Sequence, residues 1–552
     1  MAHLPINGGD RRLSALIGQI VTACARRPWL VIVVASALCA GASSYVAGHI
    51  AIDTDSAKLI GDDVPFRVRE RAFDAAFPQR TDLIAIVVDA ATPELAEQAA
   101  AELSARATAN TRLFRAVWRP DGGPFFARAG LLFASVDDVS RTTQQLIAAQ
   151  PLLGTLAADP SVRGLMDAMS LVADGIERDP ARSGAFAQPL ATLAGAFEAI
   201  VARRTPVFSW QSLITGRPAD PRELRRFVLA QPVLDYRALQ PGEAATAAIR
   251  DIARALERDA GSRVRVRLTG PVPLADEEFG TLAEGAALNA TLTLLAVVAL
   301  LWIALRSVRM IVATLSSLAV GLIVTAAFGL LVFGTFNLIS VAFAVLFVGL
   351  GVDFGIQFCV SYRAKRHVDD DLRRALKDAG GEVGGALALA AASTAAGFYA
   401  FLPTAYRGVS ELGVIAGTGM LIAFVASITL LPALLALLRP PREPAAVGYA
   451  AIAPLDRFLI RHRRAIFVVA GILAAISLAL LPRLRFDFNP LHLRSAEAES
   501  VATLLDLKRD PNTTPDTIDV LAASVADAAA LAERLGQLPE VDHAITLASL
   551  VP

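Results

Sequence analysis

Residues Phe336–Val360 read FNLISVAFAVLFVGLGVDFGIQFCV: twenty-five positions, nearly all apolar, with one acid, Asp353. A run of that length and character is the signature of a membrane-spanning helix. An ionised carboxylate in hydrocarbon costs at least ~2.5 kcal/mol, so one that persists faces a bundle interior and titrates or pairs there. A proton-binding group inside a bundle of helices is what a proton-driven pump requires. The other reading is a structural carboxylate locked in a permanent ion pair.

The rest of the chain fits a polytopic protein. It has 552 residues, 54% of them hydrophobic, a mean hydropathy of +0.51 and no net charge. That is too apolar for an ordinary soluble domain, yet charge is ample outside certain stretches, as in a multi-span protein with a large water-exposed part. The neutral balance argues against a nucleic-acid partner, which calls for a basic face. Cys24, Cys39 and Cys359 lie in or beside apolar segments without pairing or ligand spacing, so neither a disulfide nor a metal site is expected. His3, His49, His367, His462, His492 and His543 are scattered. No phosphate-cradling Gly-x-x-x-x-Gly-Lys-[Ser/Thr] loop occurs, which disfavours an ATP-driven pump. The residues hold no catalytic constellation, and neither an enzyme nor a cofactor is expected.

Seven runs are long enough to span: Trp29–Ala47, Ala287–Leu305, Met310–Phe333, Phe336–Val360, Gly384–Leu402, Leu412–Leu438 and Ala465–Leu481. The first follows Arg11, Arg12, Arg26 and Arg27 and lacks a clear cleavage site, so it reads as a retained helix. If every run spans, the basic clusters at Arg11 to Arg27, Arg306 and Arg309, Arg363 to Lys377, and Arg439 to Arg464 share one side, which the positive-inside rule makes cytoplasmic. A large outer domain then lies between the first and second spans. The expected organisation is a cytoplasmic N-terminus and first span over 1–48, an outer domain over 49–285, five spans over 286–440, a linker and seventh span over 441–485, and the start of a second outer domain over 486–552. The segment Arg363 to Ala379, with Leu372, Ala375, Leu376 and Ala379 at helical spacing, suggests a surface helix on the cytoplasmic leaflet.

The outer domain mixes element types. Leu83–Val88 reads as a buried strand, Pro93–Leu103 as a helix, Leu113–Trp118 as a strand, Thr142–Glu177 as helical, and Val264–Leu268, alternating arginine with apolar residues, as a half-exposed strand. The class is α+β with a helical insertion. Three features recur near a constant offset of about 435 residues, which suggests internal duplication. Arg26-Arg27 before apolar residues recurs as Arg463-Arg464. Ile52-Asp53-Thr54-Asp55 recurs as Phe486-Asp487-Phe488-Asn489, and the strand-then-helix Leu83–Leu103 recurs as Ile518–Leu538.

With these features the chain resembles the resistance–nodulation–division (RND) superfamily, in its hydrophobe- and lipid-exporter branch, and most of all the hopanoid-biosynthesis-associated members. Gly349-Leu350-Gly351-Val352-Asp353-Phe354 resembles the fourth-helix proton-relay signature. Ser393-Thr394-Ala395-Ala396-Gly397-Phe398 resembles the fifth-helix pattern, and Glu411-Leu412-Gly413 with Gly417 and Gly419 the sixth-helix entry. Leu268-Thr269-Gly270-Pro271 resembles the strand end before the second helix. The resemblance implies a polytopic α-helical membrane protein with an α+β periplasmic domain, in a tandem-duplicated architecture whose second copy is truncated here. It implies a multi-pass inner-membrane exporter driven by the proton-motive force, with a lipid such as a hopanoid as substrate, and leaves a homo-oligomer open. Many relatives carry Asp-Asp or Asp-Tyr where this chain has Asp353-Phe354. The counterpart of the fourth helix in the second half would lie beyond residue 552.

In the relay Asp353 leads. Gln357, one turn onward on the same face, and Ser393 and Thr394 are weaker candidates. In the outer domain Leu165, Met166 and Met169 are candidates for lining a greasy path, with Phe125 and Phe126, after Gly122-Gly123-Pro124, as its gate; ordinary core packing is the competing explanation. Two other functions compete: a non-pumping, sterol-sensing-type sorting protein, and an RND drug efflux pump.

Overall fold

The computed structural model describes residues 8–550 apart from 179–182, 216, 262, 445–447, 449–452, 486, 488 and 511–512. Helices α1 (Gly8–Arg26) and α2 (Pro28–His49) are parted only at Arg27, where Pro28, with no N–H to leave unsatisfied, takes the first position of the second helix. Then come β1 (Ile52–Asp53), α3 (Pro65–Ala76), β2 (Ile84–Ala90) and α4 (Pro93–Thr108), the last capped by Thr92 Oγ1, which accepts from Leu95 N at 3.3 Å. Strand β3 (Phe114–Trp118) leads through α5 (Pro124–Ala129) to α6 (Val136–Ala158), α7 (Val162–Arg178), α8 (Ser183–Val201) and α9 (Trp210–Thr215). Next are β4 (Arg225–Pro232), α10 (Glu243–Asp259), β5 (Val264–Thr269), α11 (Pro271–Leu305), α12 (Val308–Phe333), β6 (Phe336–Asn337), α13 (Phe343–Val368), α14 (Leu372–Tyr399) and α15 (Arg407–Leu438). Helices α16 (Ala453–Arg461), α17 (Arg463–Leu480), α18 (Glu499–Leu507) and α19 (Val525–Leu535) complete the described chain.

The chain divides into two units. The first comprises Met1–Arg69, Tyr236–Leu239 and Gly280–Pro490. Among the described residues six helical stretches are long and apolar enough to cross a membrane: Pro28–His49, Leu288–Leu305, Val308–Phe333, Ser340–Val368, Arg407–Leu438 and Arg463–Arg483. The seventh run, Gly384–Leu402, is not among them. It forms most of α14, which begins twelve residues earlier, at Leu372, and apart from Leu387 and Leu389 its interior is built of Ala, Gly, Ser and Thr, small side chains that contribute little apolar surface each.

The segment ahead of the first span is itself a helix. Ile17, Val21 and Ala25 of α1 are buried with Ala375, Leu376 and Ala379 of α14 in the core of this unit, together with Leu301, Leu305, Phe347, Phe358, Met420 and Leu431. This corrects the expectation of a surface helix over Arg363–Ala379. Arg363 ends up 6% exposed near the close of α13, its Nε and Nη2 paired with Glu443 at 2.7 and 2.8 Å and its Nη1 donating to Ala304 O at 2.7 Å. The apolar face beyond it packs against protein. A guanidinium so enclosed persists because every charge-bearing edge finds a carboxylate or a carbonyl.

The run Phe336–Val360 also differs from a simple span. Its first residues are not helical: Phe336 and Asn337 pair in parallel with Ile52 and Asp53, and α13 starts only at Phe343. Asn337 is the cause. Its Oδ1 accepts from the N–H groups of Ile339 and Ser340 at 2.9 and 2.7 Å, and its Nδ2 donates to Glu411 Oε2 at 2.5 Å. A short amide that bonds the backbone ahead of it closes a turn in place of a helical one.

The second unit comprises Glu70–Asp235, Gln240–Phe279 and Leu491–Pro552. Its centre is a four-stranded antiparallel sheet in the order β3-β4-β2-β5, with Ile86 opposite both Val228 and Leu268. Helices α4 and α10 supply Ala100, Leu103, Ile249 and Leu256 to the core against Ile84, Ile86 and Val88. Strand β4 was not anticipated from the sequence. Of the alternating arginines of β5, Arg267 joins Arg225 of β4: both bind Asp89 and both reach Asp506 Oδ2 at 2.9 Å. The single helical insertion over Thr142–Glu177 is two helices, α6 and α7, parted at Asp159-Pro160, where proline cannot continue the ladder.

In the suspected repeat, α19 forms and is capped by Ser524 as α4 is by Thr92. Ile518, Val520 and Leu521 are exposed and belong to no strand, so the strand half of that resemblance does not form among the described residues. Phe486 and Phe488 lie outside the described residues.

Candidate functional site

The four sequence motifs fall on α13, α14, α15 and the junction of β5 with α11. On α13 Gly351 and Gly355 lie on the face opposite the acid, while Gly349 shares the acid's face. Gly351 and Gly355 are buried, and a Cβ added at Gly355 would meet Thr314 Cγ2 of α12 at 2.5 Å, so only glycine permits this approach. The gap left among Thr314, Ser317, Phe347, Gly355 and Ser427 amounts to about 10 Å³, too little for any ligand. Helices α12, α13 and α15 are thus closed on one another on that side.

Asp353 points the other way. It lies on an exposed stripe of α13 with Val345, Gly349, Leu350 and Gln357. No hydrogen bond or ion pair joins it to any described residue, Gln357 included. Ser393 is exposed on α14 and donates to the carbonyls of Leu389 and Ala390 at 2.8 and 3.1 Å, which is a hydroxyl satisfying its own helix. Thr394 is half-buried. The structure therefore puts the four relay candidates on two helices without bonding them to one another. Glu411, the first residue of the sixth-helix motif, has a clear structural role. It accepts from Asn337 and from Arg407 Nε at 3.0 Å, fastening the turn that precedes α13.

In the second unit Phe125 is 60% and Phe126 39% exposed, and with Phe133 they form a triad with ring centres 5.2–5.9 Å apart. On α7 Leu165 and Met169 are half-buried and Met166 is 41% exposed. The α7 residues and the phenylalanines are not joined by any ring or core contact among the described residues.

One acid was missed from the sequence. Asp276, on the first turns of α11, is 5% exposed. Its Oδ1 accepts from Gly242 N at 3.1 Å, the N-cap of α10, and its Oδ2 has no partner among the described residues. Burial pushes its pKa up to about 6, against the pull of the Gly242 N–H, and the neighbouring charges of Glu243 and Glu277 add to the rise. A Cβ at Gly242 would meet Val272 Cγ1 at 2.3 Å and Asp276 Oδ2 at 2.6 Å, so the glycine is what lets the carboxyl reach the helix end. The only hint in the sequence was an acidic run, Asp276-Glu277-Glu278, just past the predicted strand end; which of the three is enclosed is decided by α10.

Residues 230–452, from β4 to beyond α15, match the MMPL family. The chain is 45% identical over 540 residues to a protein of Rhodopseudomonas palustris (strain TIE-1) described as "Hopanoid transporter HpnN", and 44% identical over 545 residues to one of the same description from Burkholderia multivorans (strain ATCC 17616 / 249). Each alignment takes in 98% of this chain and 62% of the relative, so the chain spans about three-fifths of the length of the curated relatives it matches.

Proposed function

We propose, from the match of residues 230–452 to the MMPL family, that the chain is an RND-type transporter that drives export of a hydrophobic lipid, of the hopanoid class, out of a bacterial inner membrane by drawing on the proton gradient. The observation that carries the proposal is Asp353: a carboxylate midway along a spanning helix with no cation or donor bound to it among the described residues. An acid held in a permanent ion pair would be structural, whereas one left unpaired in such a setting is free to take up and release a proton. The names borne by the two relatives support the lipid class.

Magnitudes decide how the proton is used. Moving a charge through 100 mV yields ~2.3 kcal/mol. Wetting a lipid of some thirty carbons costs on the order of 20 kcal/mol at ~0.8 kcal/mol per methylene. A few protons cannot lift such a molecule through water, so protonation biases conformations while the α+β unit, placed in the periplasm on this reading, keeps the lipid covered. Phe125, Phe126, Leu165, Met166 and Met169 are the side chains proposed for that cover. The α+β unit faces the periplasm if the basic clusters stay in the cytoplasm.

The test is the distribution of hopanoid between inner and outer membranes in a producing bacterium. Asp353→Asn is expected to trap the lipid in the inner membrane as fully as deletion of the gene, and an uncoupler to do the same to the wild type. Full export by the amide variant would end the proton-driven reading and favour a passive sorting protein. Drug hypersensitivity with unchanged lipid distribution would favour efflux.

A further inference from the structure

An open-sided cavity of about 530 Å³ lies in the second unit between α4, the β3–α5 connection and β4. Its polar wall is two arginines and two carboxylates. Arg119 Nη2 is 2.7 Å from Glu97 Oε1 and 3.6 Å from Asp121 Oδ1, and Arg226 Nε is 3.1 Å from Glu97 Oε2 and 3.2 Å from Asp121 Oδ2. The guanidinium groups are tucked in, at 14 and 22% exposure, while Glu97 and Asp121 stand at 49 and 44%. Arg226 also commits Nη1 to the carbonyls of Glu223 and Arg225, and Arg119 Nε is enclosed without a partner among the described residues. The apolar lining is Phe126, a member of the phenylalanine triad, with Ala127 beside it.

We propose that this cavity binds the head of an amphiphile whose head group is neutral and rich in hydroxyls and whose body is apolar. At Glu97 burial opposes ionisation, but the guanidinium groups of Arg119 and Arg226 hold its pKa below the usual range, and the carboxylates of Glu97 and Asp121, each about half exposed, offer acceptor oxygens to the cavity. Hydroxyl groups donate to such oxygens and carry no charge to be desolvated. A phosphate would meet the exposed carboxylates first and be repelled by them, since the guanidinium groups lie deeper; an ammonium would find acids already paired with arginine. The phenylalanine triad receives the apolar part, as aromatic faces do for the hydrocarbon side of a ring system. This site rests on the export reading above and narrows its substrate to lipids with a polyol or sugar head.

The experiment uses the full chain in nanodiscs and three photoreactive probes with one sterol body: cholesteryl glucoside, cholesterol and cholesteryl phosphate. Labelled peptides are mapped by mass spectrometry. The glucoside is expected to label the segment 124–133 about tenfold more than either other probe, the preference that one net hydrogen bond at a half-exposed site supplies. Glu97→Gln and Asp121→Asn should each remove most of that preference. Phe126→Ala, at an exposed ring outside the ion pairs, should lower labelling by all three probes with the fold intact by circular dichroism. Equal labelling by the three probes, or indifference to the carboxylate variants, overturns the head-group site. If Asp353→Asn still traps lipid in the inner membrane in that case, export stands and only this site falls.

Discussion

Asp353 and Asp276 are two acids put to different ends by their surroundings. Asp353 was conspicuous because nothing charged surrounds it in the sequence. Asp276 was not, because its enclosure comes from α10, whose N-terminal glycine is 34 positions away. The raised pKa of Asp276 has a stability consequence. Below about pH 4 the carboxyl is protonated in both folded and unfolded chains and contributes nothing. Between about pH 4 and 6 the unfolded chain ionises and the folded one resists, so stability falls, by about 2–3 kcal/mol for a shift of this size, and is level above about pH 6. Detergent-solubilised protein should therefore unfold more readily at about pH 7.5 than at about pH 5, and Asp276→Asn should flatten that difference; an unaltered slope in the variant would place the pH dependence elsewhere. Asp506 behaves in the opposite sense: burial opposes ionisation, but Arg267 and Arg225 hold its pKa low, so its stabilisation is present above about pH 4 and is lost as the pH falls further.

Among elements, those whose signal is local were legible. Strand β2 is continuous and β-branched, α4 has a capping threonine and a proline at its start, and both form where the sequence put them. The start of α13 was not legible. Hydropathy cannot see that Asn337 bonds two backbone N–H groups and a glutamate 74 residues away. Asn337→Ala removes those bonds together and leaves Glu411, 12% exposed, with Arg407 alone. The expected loss is about 1–3 kcal/mol, read as a lower midpoint for chemical unfolding; an unshifted midpoint would show that the turn is held by its strand pairing with Ile52 and Asp53 instead. Strand β4 escaped notice for a related reason: Arg225-Arg226 and Gln231-Pro232 look like loop, and only pairing with β2 and β3 makes a strand of them.

For the molecule as a whole, apolar surface is the dominant fact. Helices α2 and α17 have no buried residue, and Trp29, Leu30, Phe467 and Leu478 are all more than half exposed. Contiguous apolar surface on that scale is stable only in lipid or detergent. The protein should remain in the membrane pellet after alkaline carbonate washing; release into the supernatant would contradict the assignment of those helices as spans. The sequence alone determined six of the seven expected apolar helices, the α+β character of the second unit and the acid at position 353, because hydrophobic runs, strand composition and a lone charge are properties of neighbours along the chain. Tertiary structure alone decided that Asp353 is unpaired among the described residues while Arg363 is paired, that Asp276 is enclosed, and that Glu97, Arg119, Asp121 and Arg226 share one cavity wall. Those outcomes depend on residues dozens to more than a hundred positions apart meeting in space, and the desolvation or pairing of a charge is set by that meeting.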